Sequence, residues 1–173
     1  MPPALSRHLT QILKTFRLLV MVSIAVICTA NRCRSIMAHA ILTDEVLKRS
    51  LDIDVYSAGI LDFSEQPPLD ETSRTCLYYK THPPKRTPTW VGQLPLDSIN
   101  RFLVMEKNHA DALENQFGIS ADRIALLGSF DPKQRGAEIP DPFFSFSDEV
   151  YRSSYCLIRD CIIEYLETAD ELG

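Results

Sequence analysis

Ser23-Ile24-Ala25-Val26-Ile27-Cys28-Thr29-Ala30-Asn31-Arg32-Cys33-Arg34-Ser35 is the stretch that decides the fold. Residues 23–27 form a short, nearly uninterrupted apolar run, the pattern of a parallel strand buried on both faces. From Ser35 to Arg49 apolar residues recur at helical spacing, with Met37, Ala40, Ile41 and Leu47 expected on one face. The loop between strand and helix turns successive backbone N–H groups towards one point, and the helix N-terminus adds its own unpaired donors; together they favour an anion. A cysteine at the start of such a loop is favoured as its thiolate. An arginine six positions later offers a planar fork to two phosphate oxygens, and a serine directly after it can donate a hydrogen bond to the sulfur. Cys28, Arg34 and Ser35 satisfy that pattern, and none of the other four cysteines has an arginine at the sixth position. The bland rival is a buried Cys28 ending a strand beside a surface Arg34.

Further along the chain, strand and helix patterns alternate. Ile53 to Ala58 alternates as a strand and stops at Gly59, and Leu69 to Lys80 has a helix pattern. Thr81 to Pro88 carries three prolines and is expected to be a loop. Arg101 to Met105 is a third strand, Asn108 to Phe117 a helix, and Ile124 to Leu127 a fourth strand before Gly128. Phe130 to Phe146, with three prolines, forms a long functional loop. Ser147 can cap a final helix that has Asp148 and Glu149 in its first turn and Val150, Leu157, Ile158, Cys161, Ile162 and Tyr165 on its buried face. Alternating β and α units predict an α/β fold: three αβα layers around a four-stranded parallel sheet, with right-handed crossovers and ligands bound beyond the carboxyl ends of the strands.

The chain has 173 residues, enough for one domain with its own core. With 45% hydrophobic and 24% charged residues it has globular rather than disordered composition. A net charge of -5 argues against a general nucleic-acid partner, which would need a basic surface, but leaves room for a local anion site. Five cysteines without a C-x-x-C pair, and four scattered histidines, fit neither a secreted disulfide framework nor a structural zinc site; neither metal nor cofactor is expected, and the thiols fit a reducing, cytoplasmic setting. Leu18 to Ala30 resembles the apolar core of a signal peptide, but cleavage there would remove the loop chemistry, and the run is too short for stable membrane insertion. Residues 1–21 are expected to be an extension upstream of a domain at 22–173. That extension, whose apolar spacing allows a helix, is expected to pack loosely, or translation to begin at Met21; the alternative is a membrane-surface or partner-binding helix.

Val26 to Ser35 resembles the phosphate loop of the low-molecular-weight protein-tyrosine phosphatases. Tyr56-Ser57-Ala58-Gly59, Leu103-Val104-Met105-Glu106, Leu126 to Pro132 and Ile139-Pro140-Asp141-Pro142-Phe143-Phe144 are similar to further segments of that family, and together they cover nearly all of residues 22–168. The resemblance implies that Cys28 attacks phosphorus, that Arg34 and the loop N–H groups of Thr29, Ala30, Asn31, Arg32 and Cys33 hold the phosphoryl oxygens, and that Asp141 is the general acid and base. It further implies that Asn31 and Ser35 support the loop, that Cys33 can form a reversible disulfide with Cys28, and that Phe63 and Phe143 wall the substrate ring. The substrate implied is a phosphotyrosyl protein or a small aryl phosphate. Asp131-Pro132 is a rival to Asp141-Pro142; an aromatic follows only the latter, and the resemblance gives Asp131 a loop-shaping role.

Four departures stand out. Ala30 and Ile36 occupy positions where the family usually has Gly and Pro, and Phe143 and Phe144 stand where many members have tyrosines. The family histidine that orders the loop has no clear match, which puts loop rigidity in question. Two other functions compete: an arsenate reductase on the same loop, which needs mobile resolving cysteines, and a non-catalytic phospho-ligand binding module, which would need neither nucleophile nor acid. Oligomeric state is not legible from the chain.

Overall fold

The computed structural model describes residues 22–171; the expected N-terminal extension lies outside them. Four strands, β1 (Val22–Cys28), β2 (Ile53–Gly59), β3 (Arg101–Val104) and β4 (Ile124–Leu126), form one parallel sheet in the order β2-β1-β3-β4. Four helices connect or follow them: α1 (Arg34–Arg49), α2 (Asp70–Tyr78), α3 (Lys107–Phe117) and α4 (Asp148–Glu171). No helix among the described residues is long and apolar enough to cross a membrane.

The apolar run of β1 has no polar alternation because both faces of the strand are covered. Ile24, Val26 and Cys28 point into a core with Met37 and Ile41 of α1 and Tyr151, Ile158 and Ile162 of α4. Ala25 and Ile27 point the other way, towards Phe102, Val104, Leu113 and Ile119 beside α3. Each wholly buried Ile or Leu of this kind contributes roughly 1.5–3 kcal/mol. β1 has β2 on one side and β3 on the other, so the sheet reverses direction of growth at the end of β1, where the crevice of an open α/β sheet forms.

Two expected core positions point outward. Leu47 is 73% exposed, because Val46, one residue and about 100° earlier, takes the place against the core. Val150 is 43% exposed, because the Tyr151 and Tyr155 rings fill the corresponding places on α4 with far more apolar surface. The long loop after β4 is not wholly irregular: it holds short 3₁₀ turns at Leu127–Phe130 and Pro142–Phe144.

β2 ends at Gly59, where a side chain would have no room. A Cβ there would lie 2.6 Å from the carbonyl carbon of Ala30 and 2.8 Å from its Cα. The loop after β1 is thus seated directly on a bare strand end, which also makes room for Ala30. Gly59→Ala should push the loop off that seat and destabilise the fold by roughly 1–3 kcal/mol, the range for overpacking. Urea unfolding measures it, and an unchanged midpoint would contradict the close approach.

Candidate active site

The turn from β1 into α1 is held by backbone geometry and by a line of side chains behind it. Asn31 sits in the left-handed region at φ 52, which Asn tolerates better than most residues. Its Nδ2 donates to Ser35 Oγ at 2.8 Å. Since that oxygen already accepts, the serine proton is available for the Cys28 sulfur, 2.9 Å away. On the far side, Asn31 Oδ1 accepts from Arg86 Nη1 at 3.0 Å and from the Thr89 backbone N–H at 2.8 Å. Arg86 Nη2 in turn donates to the carbonyl and hydroxyl oxygens of Ser57 at 3.0 and 2.8 Å, and Nη1 also bonds Thr89 Oγ1. Every link from Arg86 to Cys28 can donate in the same direction, and such chains polarise one another. The expected weakness of a loop without its ordering histidine is therefore corrected: Arg86 and Thr89 of the proline-rich segment supply the support.

Arg34 is almost wholly buried, at 1% exposure. Its Nη1 pairs with the Glu106 carboxylate and donates to the Ile139 carbonyl at 2.8 Å, and its Nη2 pairs with Asp141 Oδ2 at 2.7 Å. Its Nε, also buried, has no partner among the described residues. The surface-arginine reading of this position is excluded. Asp141 is fixed from behind as well, its Oδ1 accepting the Phe143 N–H at 3.1 Å across the Pro142–Phe144 turn. Asp131 is buried elsewhere and accepts the Lys133 N–H at 2.8 Å, holding its own loop rather than facing the cavity.

These groups open onto a cavity of about 470 Å³ lined by Cys28, Thr29, Ala30, Arg32, Cys33, Arg34, Phe63, Glu106, Asp141, Phe143 and Phe144. Phe63 and Phe143 both line this cavity, and Phe144 adds a third ring packed edge-on against Phe143 at 5.2 Å. Cys33 is buried beneath the loop, and that burial pushes its thiol far above the usual range. No group of three or more His, Cys, Asp or Glu among the described residues is placed to hold a metal ion.

His109, absent from the expected site, is buried against it. Its Nδ1 accepts the Glu106 backbone N–H at 3.2 Å, and its Nε2 lies 3.0 Å from Thr29 Oγ1. Burial lowers its pKa to about 4, so the ring is neutral at neutral pH and Nε2 carries the proton that bonds Thr29. Glu106 was legible in part, as the acidic residue closing the third strand; Arg86 and His109 were not, because the loop residues they brace, Asn31 and Thr29, are 55 and 80 residues away.

The sequence model of the family described as low molecular weight phosphotyrosine protein phosphatase matches residues 23–172. The low molecular weight protein-tyrosine phosphatase A of Mycobacterium tuberculosis is 30% identical over 122 residues, covering 68% of this chain and 74% of that protein. A protein-arginine-phosphatase of Bacillus subtilis is 25% identical over 128 residues, 74% of this chain and 83% of that protein. Among solved structures, a low molecular weight phosphotyrosine phosphatase from Vibrio cholerae is 28% identical with a TM-score of 0.77, over 88% of this chain and 99% of that one.

Arg86→Met removes the charged donor to Asn31 and should cost roughly 1.5–3 kcal/mol of stability, the range for hydrogen bonds from charged groups. Arg86→Lys should recover part of it. Denaturant unfolding of both variants checks the ranking, and equal stability of Arg86→Met and the wild type would contradict the bracing role.

Proposed function

The chain belongs to the low molecular weight phosphotyrosine protein phosphatase family, and from that membership we propose that it hydrolyses phosphotyrosine, in protein or small aryl form, through a phosphocysteine on Cys28. The observation that carries this reading is the convergence on one cavity of the Ser35-bonded Cys28 sulfur, the Arg34 guanidinium and the Asp141 carboxylate.

In the first step the Cys28 thiolate attacks phosphorus and the bond to the aryl oxygen breaks, with Asp141 giving its proton to the departing oxygen. The Nη1 edge of Arg34 is already occupied by Glu106 and the Ile139 carbonyl, so the Nε and Nη2 edge is the one that meets the phosphoryl oxygens. Phosphate on that edge takes over the Nη2 contact and releases Asp141, which takes up the proton carried by a monoanionic phosphate ester and passes it to the departing oxygen. In the second step Asp141 accepts a proton from water as the water attacks the phosphocysteine, and phosphate leaves with the thiolate regenerated.

Phe63, Phe143 and Phe144 give the cavity an apolar wall suited to an aryl ring. Arg32 on the same wall disfavours a phosphoarginine substrate, since two cations about 4 Å apart repel by roughly 4 kcal/mol at an effective dielectric of 20. Arsenate reduction is less well supported: Cys76 and Cys161 are wholly buried, and Cys156 bonds Tyr79 at 3.2 Å, away from the cavity lining. Five cysteines, an odd number without a C-x-x-C pair, suit a reducing compartment such as the cytoplasm.

Cys28→Ser is expected to abolish hydrolysis of an aryl phosphate while retaining binding of a phosphate analogue, read by steady-state kinetics and calorimetry. Substantial residual turnover would sink the mechanism. Asp141→Ala should slow hydrolysis of esters with poor leaving groups by roughly 10²–10⁴-fold, whereas Asp131→Ala should act chiefly on stability. The reverse ranking of the two variants would move the general acid to Asp131.

A further inference from the structure

A second hollow, of about 310 Å³, lies on the other side of Arg32 from the catalytic cavity, between the phosphate loop, the start of α2 and the proline-rich segment. Arg32 lines both spaces, so the two are neighbours separated by one side chain. The lining of the second holds three cations, Arg32, Lys85 and Arg86, and no Asp or Glu. None of the three has a carboxylate within 4.0 Å among the described residues; Arg101 and Arg123 also lack one and bond backbone carbonyls instead, while Arg34, Arg49, Arg74, Arg135, Arg152 and Arg159 are paired. Three like charges gathered on one hollow in a chain of net charge -5 make a local positive field.

The three cations differ in what they can do. Arg86 is committed to Asn31, Ser57 and Thr89 and contributes charge only. Arg32 donates its Nε to the Pro67 carbonyl at 2.9 Å, which fixes the side chain and leaves its two terminal nitrogens without a partner among the described residues. Lys85 is exposed at the rim. Pro83, Pro84 and Pro88 stiffen the wall that carries it, so little ordering is lost when an anion docks.

We propose, building on the phosphatase reading above, that this hollow is a substrate subsite for an acidic side chain close to the phosphotyrosine of a protein substrate. The phosphotyrosine ring enters the aromatic-walled cavity, and the neighbouring Asp or Glu crosses Arg32 to meet Arg32 and Lys85. Arg32 then divides the two anions, facing the ring on one side and the carboxylate on the other. The preference created is for acidic flanks, and salt screens it because the pair is partly exposed.

The experiment compares kcat/KM on phosphotyrosyl peptides that differ only in having Asp or Ala at each position within three residues of the phosphotyrosine, with a small aryl phosphate as the flank-free control. The wild type should favour Asp at one or more positions by roughly fivefold, the size of a partly exposed ion pair. Lys85→Glu should bring that ratio to one or below while leaving hydrolysis of the small aryl phosphate unchanged. Equal rates on Asp and Ala peptides, a preference for neutral flanks, or a ratio that survives Lys85→Glu would each overturn the subsite. Failure of the wild type to hydrolyse even the small aryl phosphate would instead overturn the phosphatase reading on which it rests.

Discussion

The buried guanidinium of Arg34 is the group on which the rest of the site depends. It belongs to the first residue of α1, yet it is held by Glu106 after β3 and by Ile139 and Asp141 of the loop before α4. Three segments far apart in sequence thus share one cation. An arginine at 1% exposure cannot be left unpaired, since removing a partner from a buried pair costs about 3–5 kcal/mol. The same need for partners brings the acid loop over the mouth of the phosphate loop. Asp141 is a counter-ion in this structure; in the proposed mechanism a phosphoryl group replaces it on Nη2, so that filling the anion site and freeing the proposed acid become one event.

Behind the loop the constraint is one of shape and direction. Gly59 allows the Ala30 backbone to lie flat on the end of β2, and Asn31 takes the left-handed turn that points its amide at Ser35. Arg86 then anchors that amide to β2 through Ser57. His109 performs a comparable task on the β3 side, tying Thr29 to the backbone of Glu106. The loop is braced from both neighbouring strands, which fits a site that must present several N–H donors without reorganising when charge develops.

Much of this was legible because the deciding features are local. The β1 run, the six-residue spacing from Cys28 to Arg34 and the serine beside it all fall within thirteen residues, and the alternation of strands and helices gave the sheet that is observed. The aromatic walls and the choice of Asp141 over Asp131 came from resemblance to a family, since spacing alone separates neither. Leu47 and Val150 misled because periodicity tolerates a shift of one residue, and tertiary packing selected Val46 and Tyr151 instead. Arg86 and His109 stayed hidden for another reason: their role is made by contacts across the sheet, and in the sequence they are an arginine among prolines and a polar residue in a helix.

Rapid acid quenching shows whether a covalent phosphoryl group resides on Cys28 during turnover. Wild-type protein mixed with an aryl phosphate and quenched within a single turnover should carry one phosphoryl group, and peptide mapping should locate it on the segment containing Cys28. Turnover without a phosphorylated intermediate, or a phosphoryl group mapped to any other residue, would contradict the account.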